Sequence, residues 1–333
     1  MEYCKGMMTM RQIIITENDS GQRLDKFLTK KFKNMPTSLM YKYIRTKYIK
    51  LNGKRCEIAS RLQTGDVLTL YIKDEFFEET PDTYDFLKAP VKLDIIYEDE
   101  NILLLNKKPG LLVHPDDTYH FDSLIARVQH YLYDKGEYDP KQENSFAPAL
   151  VNRIDRNTGG IVIAAKNAET LRIMNQKLKD REIDKFYLCI AVGHFQQKEA
   201  LLTDYLEKNE QQNRVYISHR PTPDSKTIKT KYKVLAERNQ FSLVEVDLLT
   251  GRTHQIRAHF AFIGHPLLGD GKYGKNEINR KMGYKYQALY SYKLHFNFTT
   301  DGGILHYLDQ RTFTAPEVWF TSYFRPEDYL SKP

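Results

Sequence analysis

Pro148-Ala149-Leu150-Val151-Asn152-Arg153-Ile154-Asp155-Arg156-Asn157-Thr158-Gly159-Gly160-Ile161-Val162-Ile163-Ala164-Ala165-Lys166 is the stretch on which the reading of this chain turns. Arg153, Asp155 and Arg156 crowd together, and Thr158-Gly159-Gly160 makes a tight turn before an apolar strand. Two guanidiniums beside a carboxylate favour its charged form, which can serve as nucleophile, base or anchor. Taken alone, the same cluster is more often a structural ion pair in a loop. The neighbouring segments have to decide.

Downstream, Arg181-Glu182-Ile183-Asp184-Lys185-Phe186-Tyr187-Leu188 sends a tyrosine into a strand after a charged turn, ordinarily the mark of an amphipathic core residue. Leu249-Thr250-Gly251-Arg252-Thr253-His254-Gln255-Ile256-Arg257-Ala258-His259-Phe260 offers Thr253 or Gly251 as the cap of a helix bearing Arg257 one turn in. His254 and His259 are five apart, not the four that aligns two ligands on one helical face, and no HExxH surrounds them. No metal site is expected. Gly269-Asp270-Gly271-Lys272-Tyr273-Gly274 satisfies G-x-G-x-x-G by letter, but it follows His265-Pro266 and no βαβ unit frames it. A nucleotide-dependent enzyme using these glycines as a phosphate cradle is therefore disfavoured, and no organic cofactor is expected.

Around these segments, residues 91–325 read as strand-rich. Strands are expected at 102–106, 160–165, 186–192, 230–234 and 242–248, and helices near 123–132, 168–179 and 254–263. The pattern predicts a mixed, mostly antiparallel α+β domain, without repeats or low-complexity tracts. Residues 12–73 read as a separate small αβ module. Leu24, Phe27 and Leu28 have helical spacing, and a second helix begins near Thr37-Ser38, whose hydroxyls can cap it. Asn52-Gly53 and Gly65-Asp66 are turn signals. A tail, 1–11, precedes the module. A linker, 74–90, follows it and carries six acidic residues between Asp74 and Asp85.

Charge is distributed unevenly. The chain of 333 residues has a formal net charge of +7. Arg11 to Lys73 holds 14 Lys/Arg against 5 Asp/Glu, a net of +9 that leaves −2 for the rest. A basic excess confined to the front fits either a polyanion-binding face or a solvated surface. Hydrophobic residues make up 41%, enough for a core, yet no apolar run approaches a membrane span of about 18 residues. No cleavable signal pattern is visible, and Cys4, Cys56 and Cys189 are scattered without ligand-like spacing. These features predict a cytoplasmic protein without a disulfide framework.

In order and spacing, the three segments closely resemble the RluA-type pseudouridine synthase family. Its His-Arg-Leu-Asp-x-x-Thr-Ser-Gly motif corresponds to Asn152–Gly160, its Lys-x-Tyr to Lys185 and Tyr187, and its Gly-Arg-Thr-His-Gln-Ile-Arg-x-His to Gly251–His259. Asn106-Lys107-Lys108-Pro109-Gly110-Leu111-Leu112-Val113-His114 is similar to the family's opening turn, and Gly264-His265-Pro266 with Leu268-Gly269-Asp270 continues the match. The front module resembles an S4-type RNA-binding domain. Together these features resemble the subgroup acting on large-subunit (23S) ribosomal RNA. Three loop positions depart from the pattern: Asn152 for His, Ile154 for Leu, and Gly159 for Ser, which is expected to loosen the turn. Tyr290-Ser291 stands where the family often has His-Ala.

The resemblance implies isomerisation of uridine in structured RNA, without metal or cofactor. Asp155, Tyr187 and Arg257 take the catalytic positions. Asp155 acts covalently or as a base on the sugar, Arg257 pairs with it, and Tyr187 stacks on the flipped base and assists loss of the C5 proton. Arg153 enters the vacated stack, and Arg156, Arg252 and His254 join it in binding RNA. From the module, Arg23, Lys42, Arg45, Lys47 and Lys50 are expected to meet phosphates. A monomer is expected. The alternatives are the same chemistry on transfer RNA and an S4-type protein that only binds RNA.

Overall fold

The computed structural model describes residues 8–77, 83–116 and 121–328. The first part of the tail, Cys4 and the middle of the acidic linker lie outside the described residues. The front part contains β1 (Met8–Ile14), α1 (Leu24–Lys31), α2 (Thr37–Arg45), β2 (Ile49–Leu51), β3 (Lys54–Arg55) and β4 (Val67–Lys73). Its sheet runs β1-β4-β2-β3, all antiparallel. Leu24, Phe27 and Leu28 of α1 and Ile44 of α2 bury against Ile49, Leu68 and Leu70 of the sheet. Asn52 and Gly53 both take positive φ, which is the twist a two-residue hairpin needs. Asn52 also donates to Asp66 Oδ1 and accepts from the Val67 N–H, so the two turn signals of the sequence are physically joined.

The expected hydroxyl cap of α2 is not formed. Pro36 occupies the cap position, and its carbonyl accepts from the Leu39 and Met40 N–H groups. Proline carries no side-chain acceptor, so the cap is made by its backbone carbonyl alone.

The larger part follows as β5 (Ile95–Glu98), β6 (Ile102–Lys107), α3 (Leu124–Asp134), β7 (Ala149–Leu150), β8 (Gly159–Ala165), α4 (Ala168–Lys179), β9 (Ile183–Val192), β10 (Glu199–Asn209), β11 (Arg214–Ser218), β12 (Lys226–Arg238), β13 (Phe241–Asp247), α5 (Gln255–Phe262), α6 (Asn276–Met282), β14 (Leu289–Phe296) and β15 (Thr312–Thr314). The sheet order is β11-β10-β12-β13-β9-β14-β8-β6-β5, with β15 on β14 and β7 on β8. Among the described residues the pairing of β14 with β8 is parallel and the rest antiparallel. This is the mixed, mostly antiparallel α+β fold that the strand pattern predicts. β6 and β8 are buried along their whole length, and their segments Ile102–Leu105 and Ile161–Ala165 accordingly read as apolar runs. Ser123 caps α3 and Asn167 caps α4 through side-chain oxygens.

The two parts touch through polar groups. Asn18 accepts from the Ala168 N–H at the start of α4 and donates to Glu143. Buried Asp19 accepts from Asn144 and Ser145, both at 2.7 Å. No described helix is long and apolar enough to cross a membrane.

Candidate active site

Residues 151–158 join β7 to β8 and lie at one wall of a cleft of about 1020 Å³. Its lining comes from this loop, from 112–116, from Lys185 and Tyr187 on β9, from 251–257 and from Gln287 and Leu289. Asp155 is partly exposed there. Its Oδ2 accepts from Arg257 Nη1 at 2.7 Å, and His254 Nε2 stands 3.9 Å away.

Arg257 is clamped from behind. Its Nε and Nη2 donate to Asp270 at 2.7 and 3.0 Å, so one guanidinium bridges two carboxylates. Asp270 is wholly buried. Burial alone would raise its pKa, but Arg257 and the Tyr273 and Lys272 N–H groups hold it low. The Tyr273 ring lies 5.3 Å from the guanidinium, and its hydroxyl meets His254 Nδ1 at 3.0 Å. Fixed charge, planar geometry and low exposure make this a rigid mount for Asp155.

Tyr187 forms part of the floor at 6% exposure, where burial, and then the Asp155 charge, push its hydroxyl up to about 12. It therefore meets a ligand as a neutral phenol. Below the loop, Lys107 is buried and donates to the carbonyls of Lys108, Leu111 and Arg156 at 2.9–3.1 Å. Burial pushes its amine down to about 7, against the pull of Asp155. Three carbonyl acceptors match the three protons of an ammonium.

A family model described as RNA pseudouridylate synthase matches residues 101–262. A Mycoplasma capricolum protein described as an uncharacterized RNA pseudouridine synthase is 34% identical over 316 residues, covering 94% of this chain and 99% of its own. The chain belongs to the RNA pseudouridine synthases. It is therefore an isomerase acting on RNA. Ribosomal large subunit pseudouridine synthase C of Vibrio cholerae is 32% identical, covering 80% of this chain and 81% of its own. The protein of that name from Escherichia coli is 32% identical, covering 82% and 83%. Human RNA pseudouridylate synthase domain containing 1 shares the fold with a TM-score of 0.55 at 20% identity, covering 75% of this chain and 91% of that one.

The structure brings Asp155, Tyr187, Arg257, Arg153, Arg156, Arg252 and His254 of the synthase to one cleft. Arg153, Arg156 and Arg252 are exposed at its rim, and Arg156 Nε donates to the Gly110 carbonyl. Arg23, Lys42, Arg45, Lys47 and Lys50 do not line it. Arg23 is paired with Asp25, Lys50 lies over the Tyr71 ring, and Lys42, Arg45 and Lys47 are exposed.

Some sequence expectations need correction. Neither Thr253 nor Gly251 caps α5. His254 holds that position in the left-handed region at φ 53, and no side chain caps the helix. Instead the side chain of Gln255, the first residue of the helix, accepts from the Arg252 N–H and the Thr250 hydroxyl and fixes the segment that leads into it. Nor is the turn at Gly159 loose. Gly159 is buried in β8, and the Tyr290 ring fills the space beside it. Asn152, where the family has His, donates to the Ile161 carbonyl and accepts from the Ile163 N–H, knitting the loop to β8.

Asp270 and Lys107 carry no role in the sequence reading. For Asp270 a signal existed: an arginine with five donors has more capacity than Asp155 can fill. The Gly-rich run around it is spatial, since a Cβ at Gly269 or Gly274 would lie 2.0 or 2.3 Å from a backbone oxygen.

Proposed function

We propose that this synthase isomerises uridines of large-subunit ribosomal RNA, with Asp155 as the carboxylate that acts on the sugar. The observation that carries this is the Asp155–Arg257–Asp270 bridge at the wall of a cleft large enough for an extruded nucleotide. The names of the Vibrio cholerae and Escherichia coli relatives support ribosomal RNA as substrate.

A uridine stacked in a helix is out of reach, so it is flipped out at a cost of a few kcal/mol. Arg153, exposed at the rim, enters the vacated stack. Asp155 attacks C1′ or takes a proton from the sugar, and the C1′–N1 bond breaks. The freed uracil turns within the cleft, C5 bonds to C1′ as the Asp155–C1′ bond breaks or the sugar regains its proton, and C5 then loses its proton while N1 gains one. Tyr187 supplies a flat apolar face for that turn. Its high pKa favours stacking and hydrogen-bond donation as its larger share. Isomerisation is redox-neutral and keeps the base, so these steps balance without a co-reactant.

The front module supports the reading with an S4-like arrangement of two helices on a small sheet, and with exposed Lys42, Arg45, Lys47, Lys54 and Arg55. It holds phosphates while the larger part does chemistry. The protein works as a monomer in the cytoplasm, where its RNA is.

The test is to map pseudouridines in total RNA from cells with and without the protein, and in cells carrying Asp155→Asn. Loss of specific large-subunit sites in both strains is expected. Loss confined to transfer RNA would move the substrate, and normal product from Asp155→Asn would overturn the catalytic assignment.

A further inference from the structure

Two of the positions at which the sequence departs from its family, Gly159 and Tyr290, are register partners in the parallel pairing of β8 with β14. A Cβ at Gly159 would lie 2.3 Å from Tyr290 Cε2, 2.7 Å from Cδ2 and 3.1 Å from Pro109 Cδ. The strand is wedged between a ring and a proline, and neither can give way cheaply. Tyr290 is 4% exposed and donates to Asn106 Oδ1 at 2.7 Å, while Asn106 in turn donates to Asp94. The strand cannot recoil either, since Gly160 packs directly on the Ser291 backbone.

This wedge acts on the catalytic loop through short links. Thr158, next to Gly159, accepts from Gln287 at 3.0 Å and donates its N–H to the Asp155 carbonyl at 3.0 Å. Lys107, next to Asn106, holds the Arg156 carbonyl. The ring of Tyr290 thus sits against the point where the Asp155 loop enters β8, and its hydroxyl ties that point to the strand bearing Lys107.

We propose that Tyr290 is a positioning residue for Asp155 and that Gly159 and Tyr290 work as a coupled pair, a side chain at 159 being admissible only when 290 is smaller. The inference rests on the reading of Asp155 as the catalytic carboxylate. It predicts that the loss caused by a side chain at 159 is relieved, not deepened, by a second substitution.

The test is a double-substitution cycle on the full chain. The substrate is 5-tritiated RNA from cells lacking the protein, and the readout is tritium released per folded enzyme over a range of RNA concentrations up to saturation, which gives kcat and KM. Gly159→Ser should lower kcat by about 100-fold with KM nearly unchanged, the size expected when a reacting group is misplaced by about 1 Å. Tyr290→Val should cost about 10-fold, and the pair Gly159→Ser with Tyr290→Val should recover to about the level of Tyr290→Val alone. A purely structural contact would change the folded fraction and leave kcat per folded molecule alone. Should Gly159→Ser fail to fold, the expected result is cooperative unfolding and activity regained in the double variant. Additive losses, or a Gly159→Ser enzyme with wild-type kcat, overturn the pairing. Asp155→Asn is run alongside. If it stays active the underlying reading fails, whereas an inactive Asp155→Asn with additive losses refutes the coupling alone.

Discussion

Replacing Arg257 with lysine keeps the charge and removes the geometry. Arg257 gives three N–H groups to two carboxylates, Nε and Nη2 to Asp270 and Nη1 to Asp155, over distances of 2.7–3.0 Å. Lysine ends in one nitrogen and cannot lie against Asp270 while reaching Asp155. Asp270 is wholly buried and keeps the Lys272 and Tyr273 N–H groups, so it will hold the ammonium. Asp155, partly exposed, loses its partner. One charge-assisted hydrogen bond contributes about 1.5–3 kcal/mol. If that bond serves mainly to aim Asp155, kcat/KM should fall about 10- to 150-fold. The assay is single-turnover tritium release from 5-tritiated RNA with enzyme in excess, beside urea denaturation to confirm folding. A rate within about 3-fold of wild type would show that aiming Asp155 does not need the bridge. A loss confined to KM would make Arg257 an RNA contact.

Other outcomes follow from the same structure. In the front module, Arg45→Ala and Lys54→Ala should each lower the slope of log affinity against log salt by about one, measured by RNA binding across salt concentrations. Glu182 would have a raised pKa from burial, but Lys177, Thr299 and Thr300 overcome this and hold it at about 2. Its stabilising share is present above its ordinary value of 4.5 and is lost as pH falls towards 2. The stability difference between wild type and Glu182→Gln, followed by denaturation, should therefore shrink over that range. Asp204 joins His219 and His259 at 2.6 and 2.9 Å, and His259 in turn meets Thr230. Asp204→Leu should destabilise the fold by about 1–3 kcal/mol by leaving the buried His259 Nε2 without its partner. Its kcat at 25 °C should stay close to wild type, since Arg257 is mounted on Asp270.

Local signals were the legible ones. α4 was readable to its ends because its sequence carries a capping Asn167, an amphipathic face and basic residues in its last turn. β6 and β8 were readable as apolar runs. β10 and β14 carry no such signal. β10 alternates exposed Glu199, Leu201 and Thr203 with half-buried neighbours, and β14 mixes Tyr, Lys and His, so neither stands out as an apolar run. The parallel contact of β14 with β8 joins segments about 130 residues apart, a relation periodicity does not carry.

The site divides along the same line. Residue types and their order singled out Asp155, Tyr187 and Arg257, because a family motif compresses the chemistry into short segments. What makes Arg257 a mount rather than a neighbour is Asp270, thirteen residues further on in a glycine-rich run. Gly159 shows the converse. As a letter in a motif it reads as lost rigidity, since glycine has the freest backbone. In the fold the freedom is removed by Tyr290, a residue the same comparison marked as a separate anomaly. Two departures that look like independent weakenings thus meet as one packed contact. Their effect on Asp155 is set by the volume they share and not by either residue's own propensity.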